Sequence, residues 1–490
     1  MRLYAWAVAA LSLASLLAGC SGSEAPSSTS TPPPVAHFPD SPATTFYHFA
    51  GAVPADARVL GGNNSAFLAA GNYSYIGTTT YEPSIGATKS GALFMTSLKR
   101  DINPPNLPDQ GTHIIRGLDS GHNWTDTGPF IPTTKTTLTV NSNDPYMYVD
   151  PWTSRVIDFD MCGTLSAFCM SYSDDDGATW TPRSIVTGES TALDHQSIAA
   201  APAGEGVTTV GYPNVLVFCV NRGLSTVGPY CSTSRDGGIN WSPLIPGSPA
   251  GKAQCSGLSG HVHGSIDGRF YRGNPSCTGP AVYRSDDGGL TWSEHTINTT
   301  SGSLLHDIEV GIDAKGNVYA GWIADDGLPY LALSRDHGDT WPIQMMVAPP
   351  GVTATGFPAV AAGADGRVVM AYIGTTLEKG YDGSQTKATW NGYLSVLTDA
   401  FAENPLITTV TVNDPATDPL STGACGNVRC GGFGDFIDVT IDPSGRPWAA
   451  MANNEHGDSG LAVTMVDGPA LLGDLKPLPH LTLRGPATLP

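Results

Sequence analysis

The sequence has few charged residues, and basic ones are especially scarce. Only 24 of its 490 residues are Lys or Arg, against 44 Asp or Glu, so the formal net charge is −20. Phosphate binding requires a basic face, so nucleic acid is not an expected partner. The sequence also lacks a long helical periodicity, and nothing after residue 17 is apolar enough to span a bilayer. These absences leave an acidic chain without predicted long helices.

One apolar stretch stands at the amino terminus. Met1 and Arg2 precede apolar residues 3–17, and small residues then lead to Cys20. A basic start, a short apolar core and small residues describe an export signal. The segment Leu17-Ala18-Gly19-Cys20 resembles the bacterial lipobox, and that resemblance implies cleavage before Cys20 and lipidation of its thiol.

The residues after Cys20 are rich in Ser, Thr and Pro and have too few apolar side chains for a core. They read as a flexible tether. We therefore expect an exported monomeric lipoprotein of the cell envelope, anchored in the membrane and facing outside the cytoplasm. The predicted segments are a signal peptide over 1–19, a lipidated Cys and tether over 20–45, a folded body over 46–475 and a tail over 476–490.

Eight of the nine cysteines remain after Cys20 is set apart, an even number for an oxidising compartment. Their spacing does not suit a zinc site, although metal ligation stays the alternative. Eight cysteines allow 105 pairings, so sequence alone leaves the connectivity open. Pairing between near neighbours is the simplest prediction: Cys162 with Cys169, Cys219 with Cys231, Cys255 with Cys277, and Cys425 with Cys430.

A short motif, Ser-x-Asp-x-Gly-x-x-Trp, occurs five times with small variations. Successive tryptophans are 49 to 61 residues apart, which indicates a repeat architecture. Each copy lies between two short alternating strands and therefore reads as a hairpin turn, in which the Asp accepts backbone N–H groups and the Trp packs between sheets. We assign structural roles to Asp119, Asp175, Asp236, Asp287, Asp336, Trp124, Trp180, Trp241, Trp292 and Trp341.

A second sequence pattern, which predicts a strand, a tight turn and another strand, lies upstream of the motifs and recurs twice after the last motif. Together the two patterns give four antiparallel strands per unit, which is the blade of an all-β propeller. Seven blades are the best count and six the alternative. The units fall near 57–135, 140–190, 193–250, 257–300, 305–348, 356–410 and 433–470. Residues 44–49 or the tail around His480 are candidates for a ring-closing strand.

The motif is the Asp box, and the chain resembles the BNR-repeat proteins of the sialidase superfamily. That group includes exo-α-sialidases, other glycosidases and propellers of unknown activity. A sialidase is expected to hold the substrate carboxylate with three arginines and to use an Asp acid/base and a Tyr nucleophile beside a Glu. The group's Phe/Tyr-Arg-Ile/Leu-Pro segment is absent from this sequence.

The Asp boxes mark one end of each blade, and the cysteines and the starts of the innermost strands lie at the other. Loops on a rigid scaffold concentrate binding residues, so we expect the ligand site at the disulfide-bearing end. A hydrated polar lining is the simpler alternative. The candidate ligand-binding residues are Asp144, Asp194, His195, Arg222, His261, His263, Arg272, His306, Asp307, Glu309 and Asp435.

Residues two apart on a strand share a face, so His261 can point with His263 and Asp307 with Glu309. No cofactor is expected, although the His261 and His263 pair leaves a metal site open. Two functions are weighed. One is recognition of a glycan or protein ligand without catalysis, and the other is an exo-α-sialidase-like hydrolase. Asp194, Asp307 and Glu309 are catalytic candidates for the second, and Arg222 and Arg272 are candidate anion contacts, with solvated surface roles as the alternative.

Overall fold

A computed structural model describes residues 64–472 apart from 67–70, 99–111, 119–120, 122, 130–144, 163–166, 187–192, 223–226, 250–257, 299–306, 350, 377–385, 404, 414, 416, 426–429 and 466–467. These residues form strands and turns, with two single-turn 3₁₀ helices at Gly431–Phe433 and Asn454–His456. No helix among them is long and apolar enough to cross a membrane. Both predicted targeting segments, 1–19 and 20–45, lie outside the described residues.

Seven four-stranded antiparallel blades form a propeller, which confirms the fold class and the preferred blade count. The first strand of each blade contacts the first strands of the two neighbouring blades, and these contacts close into a ring. Blades are numbered here along the chain. The seven first strands are Ile85–Ala87 (β3), Met147–Val149 (β7), Leu193–Pro202 (β11), His263–Gly264 (β15), Glu309–Ile312 (β19), Ala354–Ala362 (β23) and Asp438–Ile441 (β29).

The remaining strands complete the blades outward from the ring, and within blades 1 to 5 each of them pairs with the strand that precedes it in the chain. Blades 1 to 3 add Leu93–Leu98 (β4), Thr112–Leu118 (β5), Asn123–Asp126 (β6), Val156–Cys162 (β8), Ala167–Ser173 (β9), Thr181–Val186 (β10), Asn214–Arg222 (β12), Val227–Ser234 (β13) and Ile245–Pro246 (β14). Blades 4 and 5 add Phe270–Ser276 (β16), Gly279–Ser285 (β17), Ser293–Thr296 (β18), Val318–Ile323 (β20), Pro329–Ser334 (β21) and Ile343–Met346 (β22).

An amino-terminal strand closes the ring. Blade 7 takes Pro447–Asn453 (β30) and Ser459–Met465 (β31) from the end of the chain and Gly71–Thr79 (β2) from its beginning, with β2 antiparallel to β31. The closing strand is thus residues 71–79, whereas both segments suggested from the sequence, 44–49 and the tail near His480, lie outside the described residues. Blade 6 adds Val368–Thr375 (β24), Asn391–Leu397 (β26), Leu406–Thr411 (β27) and a parallel edge strand, Asn64–Ala66 (β1), while Thr386–Lys387 (β25) pairs with Ala424–Cys425 (β28).

The Asp boxes are turns held by their own side chains. In blade 5, Asp336 accepts hydrogen bonds from the Ser334 hydroxyl at 2.6 Å and from the Thr340 backbone N–H at 2.9 Å, while Gly338 N–H donates to Ser334 Oγ. Gly338 has a φ of 90°, which suits a residue without a Cβ. Equivalent bonds occur at Asp175, Asp236 and Asp287. Asp119 lies outside the described residues.

The box tryptophans fill the space between neighbouring blades, as predicted. Trp292 of blade 4 is 5% exposed and belongs to one apolar cluster with Val215 and Val217 of blade 3. Trp341 of blade 5 packs with Val282 of blade 4 in the same way. Burial of these large aromatic rings removes apolar area from water and sets the blade-to-blade contact.

Two predicted disulfides are present. Cys219 and Cys231 face each other across β12 and β13, and Cys425 bonds to Cys430 before blade 7. Cys277 is also disulfide-bonded, and its predicted partner Cys255 lies outside the described residues. The side chains of Cys162 and Cys169 are likewise outside them, so those two pairings stay predictions.

Candidate functional site

Five polar side chains from three neighbouring blades meet where the innermost strands begin. We call this end of the ring the mouth, and we call His195, His261, His263, Asp307 and Glu309 the mouth cluster. A β-bulge between Asp194 and Ser197 interrupts β11, and His195 within it has a φ of 56°. Bulges re-aim side chains, and a non-glycine residue in this region of φ is strained. The bulge therefore places the His195 ring beside blade 5.

The first contact in the cluster is an ion pair between blades 3 and 5. Nε2 of His195 lies 2.8 Å from Oδ2 of Asp307, and both side chains are only 2% exposed. A buried carboxylate is costly without a partner of opposite charge, so the pair is expected to hold together. It joins the starts of two blades that are not adjacent in sequence.

Glu309 makes the second set of contacts, with blade 4. Its Oε1 is 3.4 Å from Nδ1 of His261 and accepts the His261 backbone N–H at 3.1 Å, and its Oε2 is 3.4 Å from Nε2 of His263. Gly260 permits this approach, because a Cβ there would lie 1.9 Å from the carbonyl oxygen of Ile308. Both imidazoles of blade 4 thus approach the same carboxylate.

Aromatic rings cover the buried members of the cluster. The rings of His195 and His261 stack with 5.8 Å between centroids and 7° between planes. Phe436, just before β29, meets both edge-on at 5.5 and 4.3 Å, and Tyr146, just before β7, lies 4.9 Å from His261. His263, with its side chain 25% exposed, is the most accessible of the three histidines.

The charges of the cluster shift each other's titration. Burial would lower the pKa of His195, but Asp307 raises it to about 10. Burial likewise opposes protonation of His261, and Glu309 raises the pKa of that imidazole. Burial would raise the pKa of Glu309, yet the charges of His261 and His263 hold it below its usual range. Burial raises the pKa of Asp307, although the charge of His195 opposes this shift. The buried members of the cluster therefore titrate together rather than independently.

Three further carboxylates surround the cluster. Asp194 and Asp435 act electrostatically on His195, and Asp438 acts on His261. Several described arginines instead make contacts elsewhere: Arg155 with Asp174, Arg269 with Asp267 and Asp286, Arg284 with Asp339, and Arg446 with the Met465 carbonyl. The mouth, as far as the structure describes it, is acidic.

Not all predicted ligand residues join this group. Arg272 is fully buried, donates to the Gly247 carbonyl and lies over the rings of Tyr283 and Trp292, between blades 3 and 4. A solvated surface role for Arg272 is therefore wrong, and the structure does not bring it to the histidines. Asp144, His306 and the side chain of Arg222 lie outside the described residues.

Sequence reasoning missed Phe436, Tyr146 and Asp438. All three stand at or just before an innermost strand, as the identified histidines do, so position along the repeat was the available signal. In the sequence, Phe436 and Tyr146 are not distinguishable from ordinary core residues. Only the ring of seven blades brings blades 2 and 7 against His261.

Comparisons with known proteins agree with this architecture. A family model described as BNR/Asp-box repeat matches residues 283–294. No curated protein matches the sequence significantly.

The solved structures that match this chain are distant from it in sequence. The GH93 α-L-arabinofuranosidase of Fusarium graminearum is 12% identical, with 79% of this chain and 93% of that chain covered and a TM-score of 0.42. The Hadza microbial sialidase Hz136 is 17% identical over 60% of this chain and 63% of that chain, with a TM-score of 0.38. YCF48 bound to D1 peptide is 13% identical over 82% and 96%, with a TM-score of 0.45. By its own strands and the family match, this chain is a seven-bladed β-propeller that carries the BNR/Asp-box repeat.

Proposed function

We propose that this protein is an exported, membrane-anchored propeller that binds a glycan or protein ligand at the mouth and does not hydrolyse it. The observation that carries the proposal is the convergence of five titratable side chains from blades 3, 4 and 5 on one point of the ring. Convergent polar groups at a concave axis, held by a rigid scaffold, are typical of ligand sites.

The sign of the charge at the mouth disfavours a sialidase. Recognition of a sialoside carboxylate requires guanidinium groups, whereas Asp307 and Glu309 are joined here by three more carboxylates. A sialidase also needs a tyrosine nucleophile, but Tyr372 and Tyr393 of blade 6 are buried between blades 5 and 6 and stack on each other. Within the part of the chain that the structure describes, these features support ligand binding rather than glycoside hydrolysis.

The same charge favours certain ligands. Carboxylates accept hydrogen bonds from hydroxyl groups and attract cations, so an uncharged glycan or a basic peptide suits the mouth better than an acidic sugar. His263 is the accessible member of the cluster and is the residue that we expect to touch the ligand.

Binding is tested with the purified full-length chain on arrays of uncharged glycans, sialylated glycans and basic peptides. We expect retention of an uncharged glycan or a basic peptide, and at least about tenfold weaker binding by His263→Ala, which corresponds to about 1.4 kcal/mol. Ile239→Ala is the control, because Ile239 is 59% exposed in an Asp-box turn at the opposite end. Binding that is confined to sialylated glycans contradicts the proposal.

Catalysis is tested separately with 4-methylumbelliferyl glycosides, including the sialoside. We expect no release of the fluorophore above the rate without protein. Turnover that His263→Ala or Glu309→Gln abolishes would replace the binding proposal with a hydrolase. The anchor is tested by fractionation of cells, in which Cys20→Ser is expected to move the protein out of the membrane fraction.

A further inference from the structure

We propose that His195, His261 and Asp307 bind one divalent transition metal ion, with Zn²⁺ as the representative species. The three residues come from blades 3, 4 and 5, so the ion would join the starts of three innermost strands. The proposal replaces the expectation of no cofactor and does not depend on what the mouth binds.

The donor atoms already lie together. One ligand atom from each of the three residues lies within 4.8 Å of the other two, and each residue is no more than 3% exposed. Donors about 2.1 Å from a tetrahedral ion are about 3.4 Å apart, so shifts of about 1 to 1.5 Å complete the site. Rotation of the two imidazoles and the carboxylate about their side-chain bonds supplies shifts of this size.

These donors also lack other partners. Nε2 of His195, Nε2 of His261 and both carboxylate oxygens of Asp307 are buried without a hydrogen bond. The 2.8 Å approach of His195 to Asp307 pairs their charges, but it does not have the geometry of a hydrogen bond and leaves the His261 nitrogen alone. Buried polar atoms are nearly always bonded. Nε2 of His261 and Oδ1 of Asp307 have neither a hydrogen bond nor the charge pairing of Oδ2, and this indicates a missing partner.

Glu309 supplies the supporting contact that metal-binding histidines usually have. Its carboxylate lies at Nδ1 of His261, which leaves Nε2 of the same ring for the ion. The strained bulge at His195 serves the same end by directing that ring toward Asp307. Blade 6 has a matching bulge between Gly356 and Ala359, where Phe357 also has a positive φ. The bulge therefore occurs in more than one blade, whereas a histidine at this position occurs in blade 3.

The donor set determines the class of ion. Two imidazole nitrogens and one carboxylate suit Zn²⁺ and its first-row neighbours better than Ca²⁺ or Mg²⁺, which prefer oxygen ligands. Three protein ligands leave a fourth position for water or for a donor atom of a ligand. The surrounding carboxylates of Asp194, Asp435 and Asp438 add an attractive field for a cation.

The test measures metal binding by the untagged full-length chain, without any glycan or peptide. After removal of metals by chelation, we expect one equivalent of Zn²⁺ to bind, and Co²⁺ to give the visible absorption of a low-symmetry site. His261→Gln and Asp307→Asn are expected to weaken Zn²⁺ binding at least about tenfold. Less than about 0.1 equivalent bound, or variants equal to wild type, overturns the proposal.

His113→Gln is the matched control. His113 is another buried histidine beside a carboxylate, with Nδ1 2.9 Å from the partly exposed Asp126 in blade 1, and this pair is not part of the three-residue group. Its variant is expected to bind Zn²⁺ like wild type. An equal loss of binding in this control would show that the ligand-site variants act through general destabilisation, and it would count against the assignment.

X-ray absorption of the Zn²⁺-loaded wild type keeps the test independent of whether the variants fold. We expect two imidazoles and light oxygen or nitrogen donors, with no sulfur. A spectrum with fewer than two imidazoles, or with sulfur, overturns the site. Failure of this proposal leaves ligand binding at His263 intact, because the array experiment needs no metal.

Discussion

Glu309 lies between two histidines of the neighbouring blade, with Oε1 3.4 Å from Nδ1 of His261 and Oε2 3.4 Å from Nε2 of His263. One side chain thus fixes both imidazoles of the phrase His-Val-His at the start of blade 4. Glu309 is buried, whereas the His263 side chain is 25% exposed, so the contacts of Glu309 extend from the buried interior to an accessible histidine at the mouth.

We expect Glu309→Gln to lower the free energy of unfolding by about 3 kcal/mol, because it removes the buried partner of two imidazoles. Urea unfolding at neutral pH measures the change. Glu455→Gln is the control, since Glu455 is an exposed side chain that accepts bonds from Thr422, and its effect is expected to stay below about 1 kcal/mol. Equal effects of the two substitutions would contradict the buried arrangement.

Trp292→Ala is expected to cost about 3–5 kcal/mol, since it empties the space between blades 3 and 4. Leu290 lies in the same Asp-box turn, but its side chain is exposed. Leu290→Ala is therefore expected to change the free energy of unfolding by no more than about 0.5 kcal/mol. Thermal unfolding compares the two variants. A melting temperature unchanged by Trp292→Ala would refute the packing described for the box tryptophans.

Acid is expected to weaken the Asp-box turns. Partial burial would raise the pKa of Asp336, but hydrogen bonds from Ser334 and Thr340 lower it to about 2 from the usual 3.8. A lowered carboxyl pKa stabilises the fold above pH 3.8, and this contribution is lost as the pH falls toward 2. The side chain is only partly buried, so solvent screening keeps the effect small.

The measurement for Asp336 is the melting temperature between about pH 5 and pH 2, for wild type and Asp336→Asn. The variant is expected to lose less stability than wild type over this interval, because it has no carboxylate to protonate. An identical pH dependence in the two proteins would show that Asp336 does not contribute.

Arg272→Ala is expected to lower the free energy of unfolding by about 3 kcal/mol, because it leaves a cavity beside Tyr283 and an unpaired Gly247 carbonyl. Arg272→Met fills much of the space and is expected to recover at least half of the loss. Burial lowers the pKa of this guanidinium to about 9, which agrees with an environment that disfavours charge. A cost below about 1 kcal/mol for the Ala variant would argue against the buried position.

Much of the fold was predictable because local chemistry repeats in the sequence. The Asp, Gly and Trp of each box have their roles within eight residues and one blade interface, so the boxes predict turns and a repeated blade. The count of seven also needed the recurring pattern of strand, tight turn and strand, because two blades have no box. Ring closure by β2 was not predictable in this way. Its pairing with β31 joins residues nearly four hundred positions apart, and no local pattern specifies it.

The sequence alone determined the repeat, the blade type and the end of each blade at which polar residues begin. It named all five residues of the mouth cluster, since each stands at the start of an innermost strand. Tertiary structure alone decided which of them meet: His195 with Asp307, and His261 with Glu309. It also buried Arg272 and brought Phe436 over two imidazoles. The physical reason is that these contacts form between blades, where closure of the ring, rather than neighbouring sequence, sets the distances.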